Sequence, residues 1–129
     1  MSNRTSKTGP LSGCRILVVE DEYFLADDVV QALTMSGAGI VGPFGELQEA
    51  ADIVDGELTI DAAIIDINLR SEMVFPLART LRARKIPFVF MSGYDRSSIE
   101  EEFHDVRLLE KPLDVAALTR ELTRLIRND

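Results

Sequence analysis

The chain is poor in several residue types that mark particular classes of protein. Its 129 residues include one cysteine, Cys14, no tryptophan and only 6% aromatic residues. A single cysteine excludes an internal disulfide framework and any cysteine-rich zinc site, and it fits a reducing compartment. No apolar run approaches the ~18 residues of a membrane span, and residues 1–10 lack the hydrophobic core of a signal peptide. We therefore expect a soluble cytoplasmic protein that does not enter a membrane.

Basic residues are also scarce relative to acidic ones. Lys and Arg number 14 against 22 Asp and Glu, which gives a formal net charge of −8. This balance disfavours nucleic acid as a partner, because such binding depends on Lys and Arg neutralising phosphates. The length suits one compact domain, expected over residues 13–128 behind a flexible arm of residues 1–12. Since no stretch is left for an effector domain, we expect any output to leave through a surface offered to another protein.

Short β-branched runs alternate with amphipathic segments along the chain, which predicts five strand-then-helix units. Such a succession is typical of a three-layer α/β domain with a five-stranded parallel sheet. We expect three phenylalanines to pack inside the domain: Phe24, Phe44 and Phe75. The spacing of Arg120, Arg124 and Arg127 indicates a solvated helix face, and salt bridges in a homodimer are an open alternative. The predicted strands are Ile16–Val19, Ala38–Val41 with a break at Gly42-Pro43, Ala62–Ile67, Phe88–Met91 and Val106–Leu109. The predicted helices run through Leu25–Leu33, Glu46–Val54, Val74–Leu81, Arg96–Phe103 and, after an N-cap at Asp114, Val115–Ile126.

Polar residues stand where the predicted strands end. Because the carboxyl ends of parallel strands share one edge of the sheet, these residues should converge there. Clustered carboxylates need a strong positive partner, and all-oxygen ligation with room for phosphate oxygens is what Mg²⁺ prefers. We interpret Asp66 as a nucleophile that accepts a phosphoryl group, with charge offset by Lys111 and a hydrogen bond from Ser92. The residues at the strand ends are Glu20, Asp21, Asp66, Ser92 and Lys111.

With these residues the chain resembles the receiver domains of two-component response regulators over roughly residues 13 to 128. The resemblance implies a (βα)5 flavodoxin-like fold with strand order 2-1-3-4-5. It also implies that a sensor histidine kinase or a phosphotransfer protein passes a phosphoryl group from phosphohistidine to Asp66. Mg²⁺ would be bound by Asp66, by Asp21 directly, by Glu20 through water and by the backbone carbonyl of Asn68. A cis peptide bond before Pro112 is expected as well.

Two positions depart from the common receiver pattern. Leu108 stands where many receivers have an aromatic residue, while Tyr94 follows Ser92 by two positions. The segment resembles the variant receivers with the FATGUY motif, although Met91-Ser92 replaces the usual alanine and threonine. We hypothesise that Ser92, Tyr94 and Leu108 form the switch, with Tyr94 reporting the phosphorylation state. The downstream partner is expected on the face of the fourth predicted helix, the fifth strand and the fifth helix.

Blander interpretations stay open for each motif alone. Glu-Asp-Glu after a strand is typical of a solvated helix N-terminus, and Lys111-Pro112 of a surface turn. Other functions are a phosphorylation-independent adaptor or a phosphate sink with the same fold. An aspartate-nucleophile phosphatase is a further alternative, because Asp66-Ile67-Asn68 faintly resembles the paired aspartates of the haloacid dehalogenase group. Against an enzyme, the second position is Asn68, so we expect a phosphoacceptor that assists its own transfer and hydrolysis.

Overall fold

Strands and helices alternate along the chain, in a computed structural model that describes residues 9–69, 74–93 and 99–127. The apolar, β-branched runs form the strands, and the segments with apolar residues every three or four positions form the helices. The strands are β1 (Arg15–Val19), β2 (Gly39–Phe44), β3 (Ala62–Asp66), β4 (Phe88–Ser92) and β5 (Leu108–Glu110). The α-helices are α1 (Tyr23–Met35), α2 (Leu47–Asp55), α3 (Phe75–Ala83) and α4 (Val115–Arg127), with a 3₁₀ helix at Glu101–Phe103.

All five strands lie parallel in one sheet, in the order β2-β1-β3-β4-β5. The predicted fold class, sheet and strand order are therefore confirmed. Every residue of β3 and β4 is buried, which fits strands covered by helices on both faces. Because β1 and β3 are neighbours although β2 lies between them in sequence, the chain changes direction across the sheet at this point. Ligands of such folds bind beyond the carboxyl ends of the strands at that position.

Two hydrophobic cores, one on each face of the sheet, hold the three layers together. On one face, alternate residues of β1 such as Ile16 and Val18 pack with Val29 of α1 and Leu118 of α4. On the other face, α2 and α3 pack over an aromatic group in which Phe75 and Phe103 stack at 5.5 Å between ring centroids. The last helix is capped as predicted, since Asp114 Oδ1 accepts hydrogen bonds from the N–H groups of residues 116 and 117.

Strand β2 does not break at Gly42-Pro43 as the sequence predicts. It continues to Phe44 through a cis peptide bond before Pro43, and its register with β1 shifts between Leu17 and Val19. An edge strand tolerates proline at such a bulge, because one side of the strand makes no ladder bonds. The continuation matters for the site, since the Phe44 carbonyl accepts a hydrogen bond from the backbone N–H of Glu20 at 2.9 Å.

Other sequence predictions also need correction. The helix predicted over 96–103 lies partly outside the described residues, and residues 99–103 contain only the short 3₁₀ helix. Phe24 is 80% exposed and pairs edge-to-face with Tyr23, so it does not pack inside. Leu11, within the segment assigned to the arm, is fully buried against the domain. Within the described ranges, each helix is too short or too polar to cross a bilayer.

Candidate functional site

Asp66 ends the central strand β3 and lies at the bottom of a cleft at the carboxyl edge of the sheet. Its side chain is almost completely buried. The backbone N–H of Asn68 donates to Oδ1 at 3.0 Å, and Lys111 Nζ donates to Oδ2 at 3.2 Å. These contacts fix the carboxylate in one orientation.

Two further carboxylates lie beside Asp66, as the sequence predicts. Glu20 follows β1 directly and is 2% exposed, whereas Asp21 lines the cleft and is more open to solvent. One carboxylate oxygen from each of Glu20, Asp21 and Asp66 lies within 4.8 Å of the others. An all-oxygen donor set of this size and charge is suited to a hard divalent cation such as Mg²⁺.

The surroundings of Glu20 are unfavourable for an ionised carboxylate. Oε2 accepts the backbone N–H of Glu22 at 2.8 Å, but the buried Oε1 accepts no hydrogen bond from the described residues. Burial, with a smaller contribution from the nearby Asp66, raises the pKa of Glu20 to about 8 although Lys111 and the Glu22 N–H act in the opposite direction. An unsatisfied buried carboxylate oxygen is costly, so Glu20 fits a site that a cation completes.

Among the described residues, Lys111 is the cation that lines the cleft, and its Nζ lies near three carboxylates. Its Nζ lies 3.2 Å from Asp66 Oδ2, 3.3 Å from Glu22 Oε1 and 3.6 Å from Glu20 Oε1. Burial lowers the pKa of Lys111, but the attraction of Asp66 and Glu20 outweighs that cost and the pKa is raised. The lysine is therefore charged at neutral pH. The cis peptide bond between Lys111 and Pro112 is present, as expected.

Asn68 lines the cleft, and Ser92 lies directly beside it. Ser92 ends β4 and is fully buried, and its Oγ accepts a hydrogen bond from Asn68 Nδ2 at 3.4 Å. Of the switch residues, Leu108 packs partly buried against the aromatic core, while Tyr94 lies outside the described residues. The strand ends thus bring together the predicted phosphoacceptor, metal-binding and lysine residues, whereas the predicted switch residue Leu108 lies in the core.

Glu22 is the site residue that the sequence reasoning missed. It stands at the N-cap of α1, next to the acidic pair, and its carboxylate reaches across the cleft to Lys111. The sequence did signal three consecutive acidic residues, Glu20-Asp21-Glu22, after a strand. A pattern of strand ends alone does not tell which of them turns toward a lysine 89 positions away.

The cleft is open and polar, with a volume of about 370 Å³. Its walls come from Asp21, Glu22, Asp66, Asn68, Gly93 and Lys111. A larger groove of about 800 Å³ lies at the opposite edge of the sheet, between the starts of β4 and β5 and helix α4. Two of its arginines, Arg82 and Arg124, are paired with Asp105 and Glu121, and among the described residues no group of acidic side chains suited to a metal ion faces it. The smaller cleft is therefore the candidate site.

The fold and the cleft together define a class of protein, namely a doubly wound α/β domain with an acidic, lysine-containing site where the strand order of its sheet reverses. No family model matches the sequence. Solved structures do: a response regulator receiver protein of Sinorhizobium medicae is 25% identical, with a TM-score of 0.79 over 92% of this chain and 98% of its own. SdrG of Sphingomonas melonis is 37% identical, with a TM-score of 0.65 over 87% and 95% of the two chains.

Curated relatives agree with the structural neighbours. An uncharacterized response regulatory protein of Yersinia pestis is 32% identical over 117 residues, which are 88% of this chain and 49% of that protein. The transcriptional regulatory protein PdtaR of Mycobacterium tuberculosis is 26% identical over 108 residues, 81% of this chain and 52% of that protein. The chain thus spans about half the length of the curated relatives it matches. It belongs to the receiver domains of response regulators.

Proposed function

We propose that this chain is a response regulator that receives a phosphoryl group on Asp66 from a phosphohistidine of a sensor kinase or phosphotransfer protein. The observation that carries the proposal is the Asp66 carboxylate itself. It is buried on its strand, oriented by Asn68 and Lys111, and faces a cleft that is open enough for a partner's imidazole phosphate. A carboxylate whose purpose was only structural would gain nothing from an open cleft.

The transfer is an in-line displacement at phosphorus. An Asp66 carboxylate oxygen forms the new O–P bond while the P–N bond to the donor imidazole breaks, and its electron pair stays on the nitrogen. The imidazole leaves neutral when its other nitrogen carries a proton. Lys111 lies where it offsets charge on the phosphoryl oxygens, and the Ser92 hydroxyl can donate a hydrogen bond to one of them.

Glu20, Asp21 and Asp66, with the Asn68 carbonyl, are the residues that would hold Mg²⁺. The unsatisfied Oε1 of Glu20 and the 4.8 Å clustering of the three carboxylates support this assignment. When bound, the cation would neutralise charge on the transferring phosphoryl oxygens. The chain's own residues then have to orient Asp66, hold Lys111 close and keep Ser92 beside Asn68.

The output of the phosphorylated state is proposed to be a changed surface rather than a chemical product. Tyr94, two positions after Ser92, is the proposed reporter of phosphorylation, because Leu108 leaves no aromatic residue at the usual position on β5. The partner is proposed to bind the face that includes β5 and α4. A phosphate sink with no further partner would use the same cleft.

The proposal is tested by incubating the protein with acetyl phosphate and Mg²⁺ and measuring intact mass. We expect one added phosphoryl group on the wild type and none on Asp66→Asn, which keeps the shape of the side chain but loses the nucleophilic carboxylate. Asp28→Asn, an exposed aspartate on α1 away from the cleft, is the matched control and should be labelled like the wild type. An unlabelled wild type would refute the proposed function, and a labelled Asp66→Asn would refute the assignment to Asp66.

A further inference from the structure

Glu22 places a fourth carboxylate at the mouth of the cleft, and its position is fixed by its neighbours. The buried Glu20 accepts the Glu22 backbone N–H at 2.8 Å, and the Glu22 carbonyl accepts the N–H of Ala26 in the first turn of α1. Residues at an N-cap commonly use their side chain to cap the helix, but Glu22 makes no such bond. Its carboxylate reaches Lys111 instead, 3.3 Å from Nζ.

The hydrogen-bonding capacity of Lys111 is limited. An ammonium group has three N–H bonds; Nζ donates to Asp66 Oδ2 and Glu22 Oε1, while Glu20 Oε1 lies 3.6 Å away and accepts no hydrogen bond from it. Of these partners, Glu20 and Asp66 are buried, whereas the Glu22 side chain is 64% exposed. Of the two hydrogen-bond acceptors of Nζ, Glu22 is the one that can release the ammonium to another group in the cleft and be solvated by water in return. The contact between Glu22 and Lys111 is therefore the one that can exchange.

We propose that Glu22 holds the place on Lys111 that a phosphoryl oxygen takes after transfer, so that it is a positioning residue that competes with the phosphoryl group. This inference rests on the proposed function. In the unphosphorylated protein Glu22 keeps Lys111 at the mouth of the cleft. During transfer the ammonium moves from the carboxylate to the phosphoryl group on Asp66. Glu22 thus slows phosphorylation and sets how readily a donor can drive it.

The test compares the rates at which acetyl phosphate phosphorylates wild type, Glu22→Gln and Glu49→Gln at saturating Mg²⁺ for each protein. In this reaction the O–P bond to acetate breaks, acetate leaves with the electron pair, and Asp66 forms the new O–P bond. Glutamine keeps the size of the side chain but gives a weaker, uncharged acceptor. We expect Glu22→Gln to be faster than the wild type by about two- to fivefold, the range of an exposed ion pair. Glu49 is exposed on α2 and controls for the change in net charge.

Two further measurements separate competition for Lys111 from a structural effect. In the Lys111→Gln background, Glu22→Gln should no longer accelerate the reaction, because the two changes are coupled through the lysine. In the metal-free, unphosphorylated protein, the side-chain NMR signals of Lys111 should shift in Glu22→Gln and not in Glu49→Gln. An unchanged or slower Glu22→Gln, an equal acceleration without Lys111, or an unmoved Lys111 signal would overturn the inference. Failure of the wild type to be labelled at all would instead refute the proposed function.

Discussion

Single residues already show that the cleft is organised around charge. Glu20 is buried with one oxygen that accepts no hydrogen bond from the described residues, and burial raises the pKa of its carboxyl group to about 8. Lys111 stays charged because Asp66 and Glu20 attract it more than burial costs it. Burial thus favours the protonated form of Glu20 over a wider pH range than that of an exposed glutamate. This protonation could not be predicted from the sequence, because it depends on burial that only the packed structure defines.

The Glu20→Gln variant tests that protonation. Between the ordinary pKa of 4.5 and about 8, the unfolded chain releases the Glu20 proton while the folded protein keeps it. The free energy of unfolding of the metal-free protein should therefore fall as pH rises through this window. Between about pH 5.5 and 7.5 the free energy of unfolding of the wild type should fall by on the order of 1 to 3 kcal/mol more than that of Glu20→Gln, measured by urea unfolding.

Added Mg²⁺ supplies the control for this experiment. It should restore stability to the wild type at the higher pH, where Glu20 can ionise against the cation, and it should do less for Glu20→Gln. If both proteins have the same pH dependence without metal, Glu20 is not the group that holds the proton, and the site's electrostatics must be reassigned.

At the scale of secondary structure elements, β2 shows what sequence patterns miss. Gly42-Pro43 is a strong turn signal, yet the strand passes through it to Phe44. The bulge depends on pairing with β1, which is non-local and leaves no mark in the sequence of β2 itself. The cap of α4 by Asp114 depends only on adjacent residues, and it was predicted correctly. Local signals were therefore sufficient for caps and for the buried strands, but not for this edge.

Gly42→Ala tests the importance of that edge. Gly42 has a φ of +108°, and an added Cβ would lie 2.8 Å from the Val18 carbonyl oxygen. We expect the variant to lose about 1 to 3 kcal/mol of stability by urea unfolding, since strain and a backbone clash combine. Gly39→Ala, at the start of the same strand, meets only ordinary contacts at 3.8 Å and should change stability by less than about 1 kcal/mol. Equal effects of the two substitutions would contradict this account of β2.

For the whole molecule, the site is a product of topology. Asp21, Asp66, Ser92 and Lys111 are separated by 45, 26 and 19 positions, and a parallel sheet brings them to one edge. This convergence could be predicted because every strand ends on the same side. The exposure of Phe24 and the contact of Glu22 across the cleft could not be predicted. Both depend on where α1 begins and on which side chains of its first turn face solvent. The net charge of −8 says less about function than where these few carboxylates lie.

The proposed function depends on Asp66 as the carrier of the phosphoryl group. The most direct measurement reduces the acetyl-phosphate-treated protein with borohydride, which converts an aspartyl phosphate into homoserine, and then locates that residue by peptide mass spectrometry. We expect homoserine at position 66 and unaltered side chains at Glu20, Asp21 and Glu22. A reduced side chain at any of these three positions, or a phosphoryl group retained on Ser92, would contradict it.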